Sequence, residues 1–392
     1  MVQLNPETDW VDAPRFRTLR QLKESSLAAG RRIIDLSMIN PDLPPPRLLL
    51  DRLVEATLQQ KNHRYSVARG LAKLREGFAH LYRRQFSISV SADTQVCVTL
   101  GAKDAFLCSL AALCPRGTRV LLPKPTYAAY LSAIEFQGLI PLFYSVGTEE
   151  ETLRSIELSV SAQPHIALCV CNFPHNPTGA TVSSKFWQRL SEILKKDDTY
   201  IVNDFVYGEL CFDGKPASSL LSCEALTGRA LEIYSLSKAY SIPGWRLGAV
   251  VGDAAMVERV SRIKAHLDYG LFMPLQLAGA QALISNADLV SSARTQYAQR
   301  CGLLVKGLTQ AGFSVSAPQA GCGVWAELPK EAGLAEAFCQ ELALQDGVFL
   351  LPGTNFGSEF ERHVRIAAVA PDQILRDTLA ACHRHCKSSI SL

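Results

Sequence analysis

The sequence predicts an α/β protein built around a mainly parallel β-sheet. Residues 165–171 form a continuous apolar run, which is typical of a parallel strand that is buried on both faces. The apolar runs at 95–100, 120–123 and 200–203 each end in a polar or glycine-containing turn, and the first two lead on into helix-like sequence. A chain of 392 residues also has room for two or three domains, so a large and a small lobe would fit.

The composition is that of an ordinary soluble globular protein. Hydrophobic residues make up 48% of the chain, charged residues make up 20%, and the mean hydropathy is +0.08. The net charge is +3, and basic residues neither form runs nor alternate with aromatic ones, so we expect no nucleic-acid partner. No apolar run of about 18 residues occurs, and residues 1–13 are acidic and polar, so we expect neither export nor insertion into a membrane.

The twelve cysteines lie mostly in apolar contexts and show no secreted-type framework. We therefore expect reduced thiols in a cytoplasmic protein. Cys382 and Cys386 stand one helical turn apart with two histidines between them. A zinc site needs four ligands in a tetrahedron, and no second Cys/His pair with suitable spacing lies nearby. The pattern predicts a helix end here and no metal.

Both ends of the chain carry their own predicted elements. Loose helical spacing over residues 14–30 predicts a helix that ends at Gly30. Three helical patterns follow in the second half of the chain, at 254–267, 274–285 and 289–312. Residues 313–392 then predict an α+β segment, with strands at 313–317, 323–327 and 364–368.

The stretch around Lys238 carries the strongest chemical signal. It follows a short, mostly apolar run at 231–234, so Lys238 stands just past a buried strand, where open α/β sheets place their ligands. In an apolar cleft the pKa of a lysine falls, and the neutral amine can condense with an aldehyde. Arg246 offers a bidentate fork for a phosphate, and Ser235 and Ser237 add hydroxyl donors. A lysine beside a phosphate clamp suggests pyridoxal phosphate as cofactor.

Residues 235–248, with the sequence SLSKAYSIPGWRLG, resemble the aldimine-lysine motif of class I and II aminotransferases over their whole length. The resemblance extends over about residues 14–380 and is nearest to the branch that contains alanine and LL-diaminopimelate aminotransferases. It implies the aspartate-aminotransferase fold, with a seven-stranded, mainly parallel sheet between helices in a large cofactor-binding domain, residues 47–287. It also implies a smaller α+β domain formed from both ends of the chain, residues 1–46 and 288–392.

The same resemblance implies the role of each cofactor-binding residue. Lys238 would hold the cofactor as an internal aldimine and then act as general base and acid. Residues 172–179, NFPHNPTG, are similar to the family motif N-x-P-x-N-P-T-G, in which Asn176 would donate to the phenolate oxygen. Asp204 would pair with the pyridinium nitrogen. The other implied contacts are Gly101, Ala102 and Lys103 at a helix N-terminus, Tyr127 against the ring with Tyr130 as a core residue, Tyr207 at the phenolate oxygen, and Ser235, Ser237 and Arg246 at the phosphate.

The substrate end is implied by Arg365, which matches the arginine that binds the α-carboxylate as a bidentate fork. Asn176 and the residue at position 39 would lie beside that carboxylate. The family has a glycine at this position, whereas here it is Ile39, which disfavours positive φ and adds bulk. Either the backbone or the pocket differs locally, or only the backbone N–H matters. Tyr65 matches the tyrosine that reaches across a homodimer interface to the cofactor phosphate of the partner.

The activity implied is transfer of an amino group between an L-amino acid and a 2-oxo acid, although the amino donor is not specified. A lyase or cyclase on the same scaffold stays open because of Ile39. A non-catalytic pyridoxal-phosphate sensor is less favoured, since such sensors normally carry a fused DNA-binding domain and none is expected here. A Rossmann dehydrogenase is disfavoured because no strand leads into G-x-G-x-x-G.

Overall fold

The computed structural model describes residues 14–163, 165–195 and 198–388. In these ranges the α-helices are α1 (Pro14–Ala28), α2 (Arg47–Thr57), α3 (Ala72–Phe86), α4 (Ala102–Leu113), α5 (Ala128–Gln137), α6 (Glu149–Ala162), α7 (Ser184–Ile193), α8 (Ala254–Ala265), α9 (Met273–Ile284), α10 (Ser291–Gln310), α11 (Ala335–Asp346) and α12 (Asp372–Ser388). The strands are β1 (Ile34–Asp35), β2 (Val96–Thr99), β3 (Arg119–Lys124), β4 (Ile140–Ser145), β5 (Ile166–Cys171), β6 (Tyr200–Asp204), β7 (Ala230–Ser235), β8 (Gly248–Gly252), β9 (Ser314–Val315), β10 (Gly323–Glu327), β11 (Val348–Phe349), β12 (Leu351–Pro352) and β13 (His363–Ala367).

A seven-stranded sheet forms the centre of the larger part of the molecule, with the strand order β2-β8-β7-β6-β5-β3-β4. The pairs from β4 through β3, β5 and β6 to β7 are all parallel. β8 runs antiparallel to both of its neighbours, β7 and β2. The α/β class and the mainly parallel seven-stranded sheet predicted from the sequence are confirmed.

Apolar layers cover both faces of this sheet, which explains its continuous apolar strands. Every residue of β2, β7 and β8 is buried. Val250 of β8 packs into a cluster with residues of α4, α5 and α8, whereas its neighbours Ala249 and Val251 pack into a second cluster with residues of α3 and α9. Because successive side chains of a strand point to opposite faces, the sheet lies between two layers of helices.

Strands from both ends of the chain pair in a second, smaller part of the fold. β1 pairs in parallel with β11, so a segment near residue 34 is joined to one near residue 348. β12, β13, β10 and β9 form an antiparallel sheet in that order. The long helix α10 packs against α12 and against β9 and β10. This arrangement carries Arg365 as a buried residue of β13.

The predicted elements agree with the structure except at some ends. The strand predicted over 323–327 is β10 over the same residues. The helix predicted over 14–30 is α1, and Gly30 follows it in the left-handed region at φ +72°. The strand predicted over 313–317 shortens to β9, because it lies at the edge of the small sheet and pairs with β10 alone.

The helices and the possible metal ligands of the described residues can be compared with what the sequence predicts about membranes and metals. None of their helices is both long and apolar enough to cross a membrane. No group of three or more His, Cys, Asp or Glu side chains among them is arranged to hold a metal ion. The stretch with Cys382 and Cys386 lies within α12, where His385 Nε2 is 2.8 Å from Asp346 Oδ2.

A buried carboxyl group connects β7 to the elements that cover it. Glu232 Oε1 accepts hydrogen bonds from the Leu220 backbone N–H at 2.6 Å and from Asn203 Nδ2 at 3.4 Å. Its Oε2 accepts from the hydroxyls of Ser219 and Tyr82 at 2.8 and 3.0 Å. Burial raises the pKa of Glu232 to about 7, although these donors act in the opposite direction. The network fixes the strand that leads into the lysine motif.

Replacing Glu232 with glutamine should stabilise the protein increasingly, relative to the parent, as pH rises. A carboxyl group whose pKa is raised on folding contributes stability that is complete below its unfolded pKa and is lost as pH rises through its folded pKa of about 7. The amide of Glu232→Gln does not titrate, and its NH₂ can donate to the Ser219 and Tyr82 hydroxyls.

Urea denaturation of both proteins at about pH 5 and about pH 8 tests this expectation. Groups that titrate identically in the two proteins cancel in the difference between their free energies of unfolding. That difference should move in favour of Glu232→Gln at the higher pH. A difference independent of pH would contradict the burial argument.

Candidate active site

The polar ends of the central strands meet at one edge of the sheet. Parallel strands place their carboxyl ends at the same edge, so the segments after β2, β3, β5, β6 and β7 lie together there. β8 is antiparallel, so its beginning lies at this edge instead of its end. The segment before β8, which contains Arg246, therefore lies beside the segment after β7, which contains Lys238.

Lys238 places its amine among charged groups at this edge. Its Nζ donates a hydrogen bond to the Ile39 carbonyl. Burial lowers the pKa of Lys238 to about 8, and the guanidinium groups of Arg365 and Arg246 act in the same direction. The Asp204 carboxylate opposes this shift. The lowered pKa enlarges the fraction of neutral amine, which is the nucleophilic form.

Asp204, at the end of β6, holds a buried carboxylate at this edge of the sheet. Its Oδ2 accepts from the Tyr130 hydroxyl at 2.6 Å. Its Oδ1 is buried and has no hydrogen-bond partner in the described part of the chain. Burial raises the pKa of Asp204 to about 6, although the Tyr130 hydrogen bond, the Val206 backbone N–H and the charge of Lys238 lower it. Since an unpaired buried acceptor is costly, Oδ1 fits a donor such as a protonated ring nitrogen.

Two residues without a predicted site role hold this arrangement. Asn172 Nδ2 donates to the Asp204 carbonyl, and its Oδ1 accepts from the Asn176 backbone N–H, both at 2.9 Å. Tyr130 is buried, as expected of a core residue, but its hydroxyl also holds the Asp204 carboxylate. Asn172 is the first residue of the motif at 172–179. The available signal was that a polar side chain at a buried position needs a partner.

A close approach between Gly101 and Arg246 forms a cradle for an anion. Gly101 precedes α4 at φ +79°, and a helix N-terminus favours negative charge. A Cβ placed on Gly101 would lie 2.5 Å from Arg246 Nη2, so a side chain there would displace the guanidinium. The same Nη2 donates to the Leu100 carbonyl at 3.2 Å. Ser235, the last residue of β7, and Ser237, just after the strand, are joined through their hydroxyls at 2.9 Å.

The other predicted cofactor-binding residues differ in how far they are buried. Ala102 and Lys103 form the first turn of α4, and Lys103 is exposed. Tyr127 precedes α5, where burial and then the charge of Asp204 raise its pKa. Burial also raises the pKa of Tyr207 well above its usual value. Both tyrosines therefore carry a protonated hydroxyl and face the charged groups of the site.

Arg365 brings a buried guanidinium from β13 to the same place. Its Nη2 donates to the Ser37 carbonyl at 2.5 Å, and its Nη1 donates to Asn176 Oδ1 at 3.4 Å. The guanidinium carbon lies 5.3 Å from the centroid of the Phe356 ring. Its Nε is buried and has no hydrogen-bond partner among the described residues. Burial lowers the pKa of Arg365. A buried guanidinium with an unused N–H fits a carboxylate.

Ile39 meets the requirements of its position with ordinary backbone geometry. Among the described residues, the non-glycine residues with positive φ do not include Ile39. Its Cδ1 lies 3.6 Å from the point that a Cβ on Gly323 would occupy, and the side chain packs against the adjoining core. The backbone here therefore does not require glycine. Its carbonyl accepts the hydrogen bond from Lys238 Nζ.

Tyr65 stands apart from these residues in the single chain. Its side chain is 87% exposed, and its ring lies 5.2 Å from the ring of Tyr269, between centroids. Among the described residues, Tyr65 makes no hydrogen bond to Lys238 or to the charged groups around it. An exposed tyrosine of this kind is available for contact with a second molecule.

The groups at the sheet edge fit the cofactor that the lysine motif suggested. The protonated ring nitrogen of pyridoxal phosphate can donate a hydrogen bond to the buried Asp204 Oδ1. The phosphate group suits the cradle formed by Gly101 and Arg246. The aldehyde of the cofactor suits an amine with a lowered pKa, as in Lys238. The unused N–H of Arg365 adds a place for the carboxylate of an amino acid.

Comparison with known proteins gives consistent matches over nearly the whole chain. Glutamate-pyruvate aminotransferase AlaC of Escherichia coli (strain K12) is 31% identical over 370 residues, which cover 93% of this chain and 89% of AlaC. LL-diaminopimelate aminotransferase of Dehalococcoides mccartyi (strain ATCC BAA-2266 / KCTC 15142 / 195) is 31% identical over 356 residues, covering 90% of this chain and 91% of that enzyme.

A solved structure gives an independent match to the fold. A Thermus thermophilus aspartate aminotransferase single mutant superposes with a TM-score of 0.90 at 23% identity and covers 98% of this chain and 100% of its own. This match confirms the aspartate-aminotransferase fold. The family model for aminotransferase class I and II matches residues 31–380. The chain therefore belongs to the class I and II aminotransferases, enzymes that transfer amino groups with pyridoxal phosphate as cofactor.

Proposed function

We propose that Lys238 is the catalytic lysine of this aminotransferase, and that the residues around it bind cofactor and substrate in the roles implied by the motifs. The observation that carries the proposal is the combination of a lysine whose pKa is lowered to about 8 with the unpaired Oδ1 of Asp204. One group supplies a nucleophilic amine, and the other supplies a charge partner for a ring nitrogen.

The cofactor-binding residues divide by what they contact. Pyridoxal phosphate supplies, when bound, a ring that withdraws electrons from the α-carbon of the amino acid. Asp204 Oδ1 would accept the ring N–H and keep the nitrogen protonated, and Tyr127 would cover the ring face. The α4 N-terminus and Arg246 would hold the phosphate. The residues assigned to these contacts are Gly101, Ala102, Lys103, Ser235, Ser237 and Arg246 for the phosphate, and Asn176 and Tyr207 for the phenolate oxygen.

Substrate is oriented by groups from the other side of the site. Arg365 binds the α-carboxylate through its guanidinium, with Asn176 beside it and Ile39 at the edge of the pocket. Lys238 Nζ, as the neutral amine, would take the proton from the α-carbon as general base and, as general acid, deliver it to the cofactor carbon that carried the aldehyde. Burial of these charged groups excludes water from their neighbourhood and strengthens their interactions.

The same proposal covers the wider organisation of the enzyme. Residues 47–287 form the cofactor-binding domain, and residues 1–46 with 288–392 form the small domain. The enzyme is a homodimer in which Tyr65, exposed in the single chain, reaches the cofactor phosphate of the partner. It works in the cytoplasm, which the twelve free, buried cysteines support.

A donor screen tests the overall activity. The purified enzyme, loaded with cofactor, is offered a panel of L-amino acids with pyruvate or 2-oxoglutarate as acceptor. Formation of the new amino acid in step with loss of the donor supports transamination. Release of ammonia without a new amino acid would support elimination, the lyase reaction that Ile39 left open.

The rate at which cofactor-free enzyme binds the cofactor covalently should rise with pH, reach half of its maximum near pH 8 and level off about one pH unit higher. Only the neutral amine attacks the aldehyde, and the pKa of Lys238 is lowered to about 8 from an ordinary value of 10.5. Stopped-flow absorbance of the lysine-bound cofactor measures the rate. A rise that continues to about pH 10 would contradict the lowered pKa. Lys238→Ala is the control: it should bind the cofactor non-covalently and show no lysine-bound band.

Asp204→Asn should keep the cofactor but lose about 100-fold in kcat, because a neutral amide does not hold the ring nitrogen protonated. Tyr130→Phe removes the hydrogen bond to Oδ2 and leaves the carboxylate in place, so it should cost only about tenfold. Steady-state kinetics of both variants at saturating cofactor give the comparison. Near-normal turnover in Asp204→Asn would assign the ring nitrogen to another partner.

Ile39→Gly should raise kcat/KM for common donors such as alanine or glutamate by about tenfold, because it opens space on the order of 80–100 Å³ and even a one-methylene mismatch is worth about 1–3 kcal/mol. Met38→Gly is the matched control: Met38 is the exposed neighbour, so this change loosens the segment without touching the pocket. Unchanged selectivity in Ile39→Gly would mean that its contact with the region of Gly323 is its whole role.

A further inference from the structure

A fully buried lysine lies outside the site described above. Lys264, in the last turn of α8, has 0% exposure, and its Nζ donates to Asp268 Oδ1 at 2.5 Å and to the Ala68 carbonyl at 3.0 Å. Asp268 Oδ1 also accepts from the Gly270 backbone N–H at 2.6 Å. One ammonium group thus joins the loop after Tyr65 to the loop after α8.

A second buried side chain joins the same two loops. Gln276, in α9, is also 0% exposed. Its Oε1 accepts from the Leu71 backbone N–H at 2.8 Å, and its Nε2 donates to Ser66 Oγ at 2.8 Å and to the Leu271 carbonyl at 2.7 Å. The loops are packed closely as well, because a Cβ on Gly270 would lie 2.4 Å from the carbonyl oxygen of Val67. Residues 65–71 and 266–271 therefore behave as one unit.

This unit presents an aromatic pair to its outer side. Tyr65 is 87% exposed and Tyr269 is 69% exposed, and their ring centroids are 5.2 Å apart. Val67 and Leu267 beside them are exposed as well. We call these four residues the aromatic platform. Its polar attachment lies inside the protein, whereas its apolar and aromatic groups face outward, as in surfaces that bind another protein.

The buried charge of Lys264 is not explained by stability alone. Removing an ammonium group from water costs several kcal/mol, and a buried ion pair is often no more stabilising than apolar residues of similar volume. The ion pair favours one arrangement of the two loops, because the ammonium group needs hydrogen-bond acceptors at fixed places. A methionine at position 264 would fill the same volume but would favour no particular loop arrangement.

We propose that Lys264 is a positioning residue that fixes the aromatic platform, and with it Tyr65, for contact with the active site of a second copy of this chain. This inference rests on the proposed function, in which Tyr65 reaches the cofactor phosphate of the partner. Lys264 touches neither cofactor nor substrate. Its effect on cofactor binding is transmitted through the loop that it holds to Asp268.

The test is a double-mutant cycle on cofactor affinity, with dimer affinity as a second readout. Lys264→Met, Tyr65→Phe and the double variant are prepared without cofactor and titrated with pyridoxal phosphate, and their dimer dissociation is measured by sedimentation. We expect each single change to weaken cofactor binding about tenfold relative to the parent. The double variant should bind the cofactor less than about twofold more weakly than either single variant does. Lys264→Met should also dissociate more readily into monomers.

Two further variants keep the result interpretable. Arg262→Met, two residues earlier in α8, removes a basic side chain that is 75% exposed and paired with Glu258, so cofactor affinity should be unchanged. If Lys264→Met does not fold, the combined change Lys264→Met with Asp268→Asn replaces it in the cycle, because it removes both charges and leaves neither buried alone.

The outcomes separate this inference from the function on which it rests. If Tyr65→Phe weakens cofactor binding and Lys264→Met leaves it unchanged, only the role of Lys264 is overturned. Losses that multiply in the double variant would overturn it too, because Lys264 would then act independently of Tyr65. Unchanged cofactor affinity in Tyr65→Phe would overturn the proposed contact across the dimer, and the inference with it.

Discussion

Exclusion of water from one edge of the central sheet governs the chemistry of the groups gathered there. Burial lowers the pKa of Lys238 to about 8, raises that of Asp204 to about 6 and lowers that of Arg365. In each case the first cause is desolvation, which disfavours the charged form. The apolar layers on both faces of the sheet are therefore part of the site, because they create the medium in which an amine becomes a nucleophile.

Burial alone would neutralise these groups, so their charges depend on fixed partners. The Tyr130 hydroxyl and the Lys238 charge both favour ionised Asp204. Asn172 then holds the Asp204 carbonyl and the Asn176 amide together, which ties the ring-nitrogen partner to the loop that approaches Arg365. The reversed direction of β8 has a similar effect, because it brings Arg246 to the edge where the parallel strands end.

Much of the fold and the candidate site could be predicted from the sequence, because those features have local signatures. A continuous apolar run predicted β5, and the lysine and asparagine motifs pointed to Lys238 and Asn176. Tyr130 was given only a core role, since its hydrogen bond joins residues 74 apart in the chain. The contact of Lys238 with Ile39 spans 199 residues and depends on how the two parts of the fold pack. Lys264 lacked any signal, because its burial is a property of two packed loops.

The segment with Ser37 and Ile39 contacts both the Arg365 guanidinium and the Lys238 amine through backbone carbonyls. The Ser37 carbonyl accepts from Arg365, and the Ile39 carbonyl accepts from Lys238. A carboxylate forms charge-assisted bonds roughly twice as strong as a neutral carbonyl does. A substrate carboxylate can use Nε of Arg365, which has no hydrogen-bond partner among the described residues, while Ser37 keeps its bond to Nη2.

A further anchor of this segment, at Asp42, helps to decide whether the contact at Arg365 or the contact at Lys238 is lost first. Asp42, in the same segment, is held by both terminal nitrogens of Arg300, at 2.7 and 3.0 Å. Arg300 is buried in α10, so this bidentate pair is worth more than an exposed one and ties the segment to the helix beside β10. The single hydrogen bond from Lys238 to Ile39 has no such support. Covalent chemistry at the amine consequently costs that one bond, while the segment keeps its place beside Arg365.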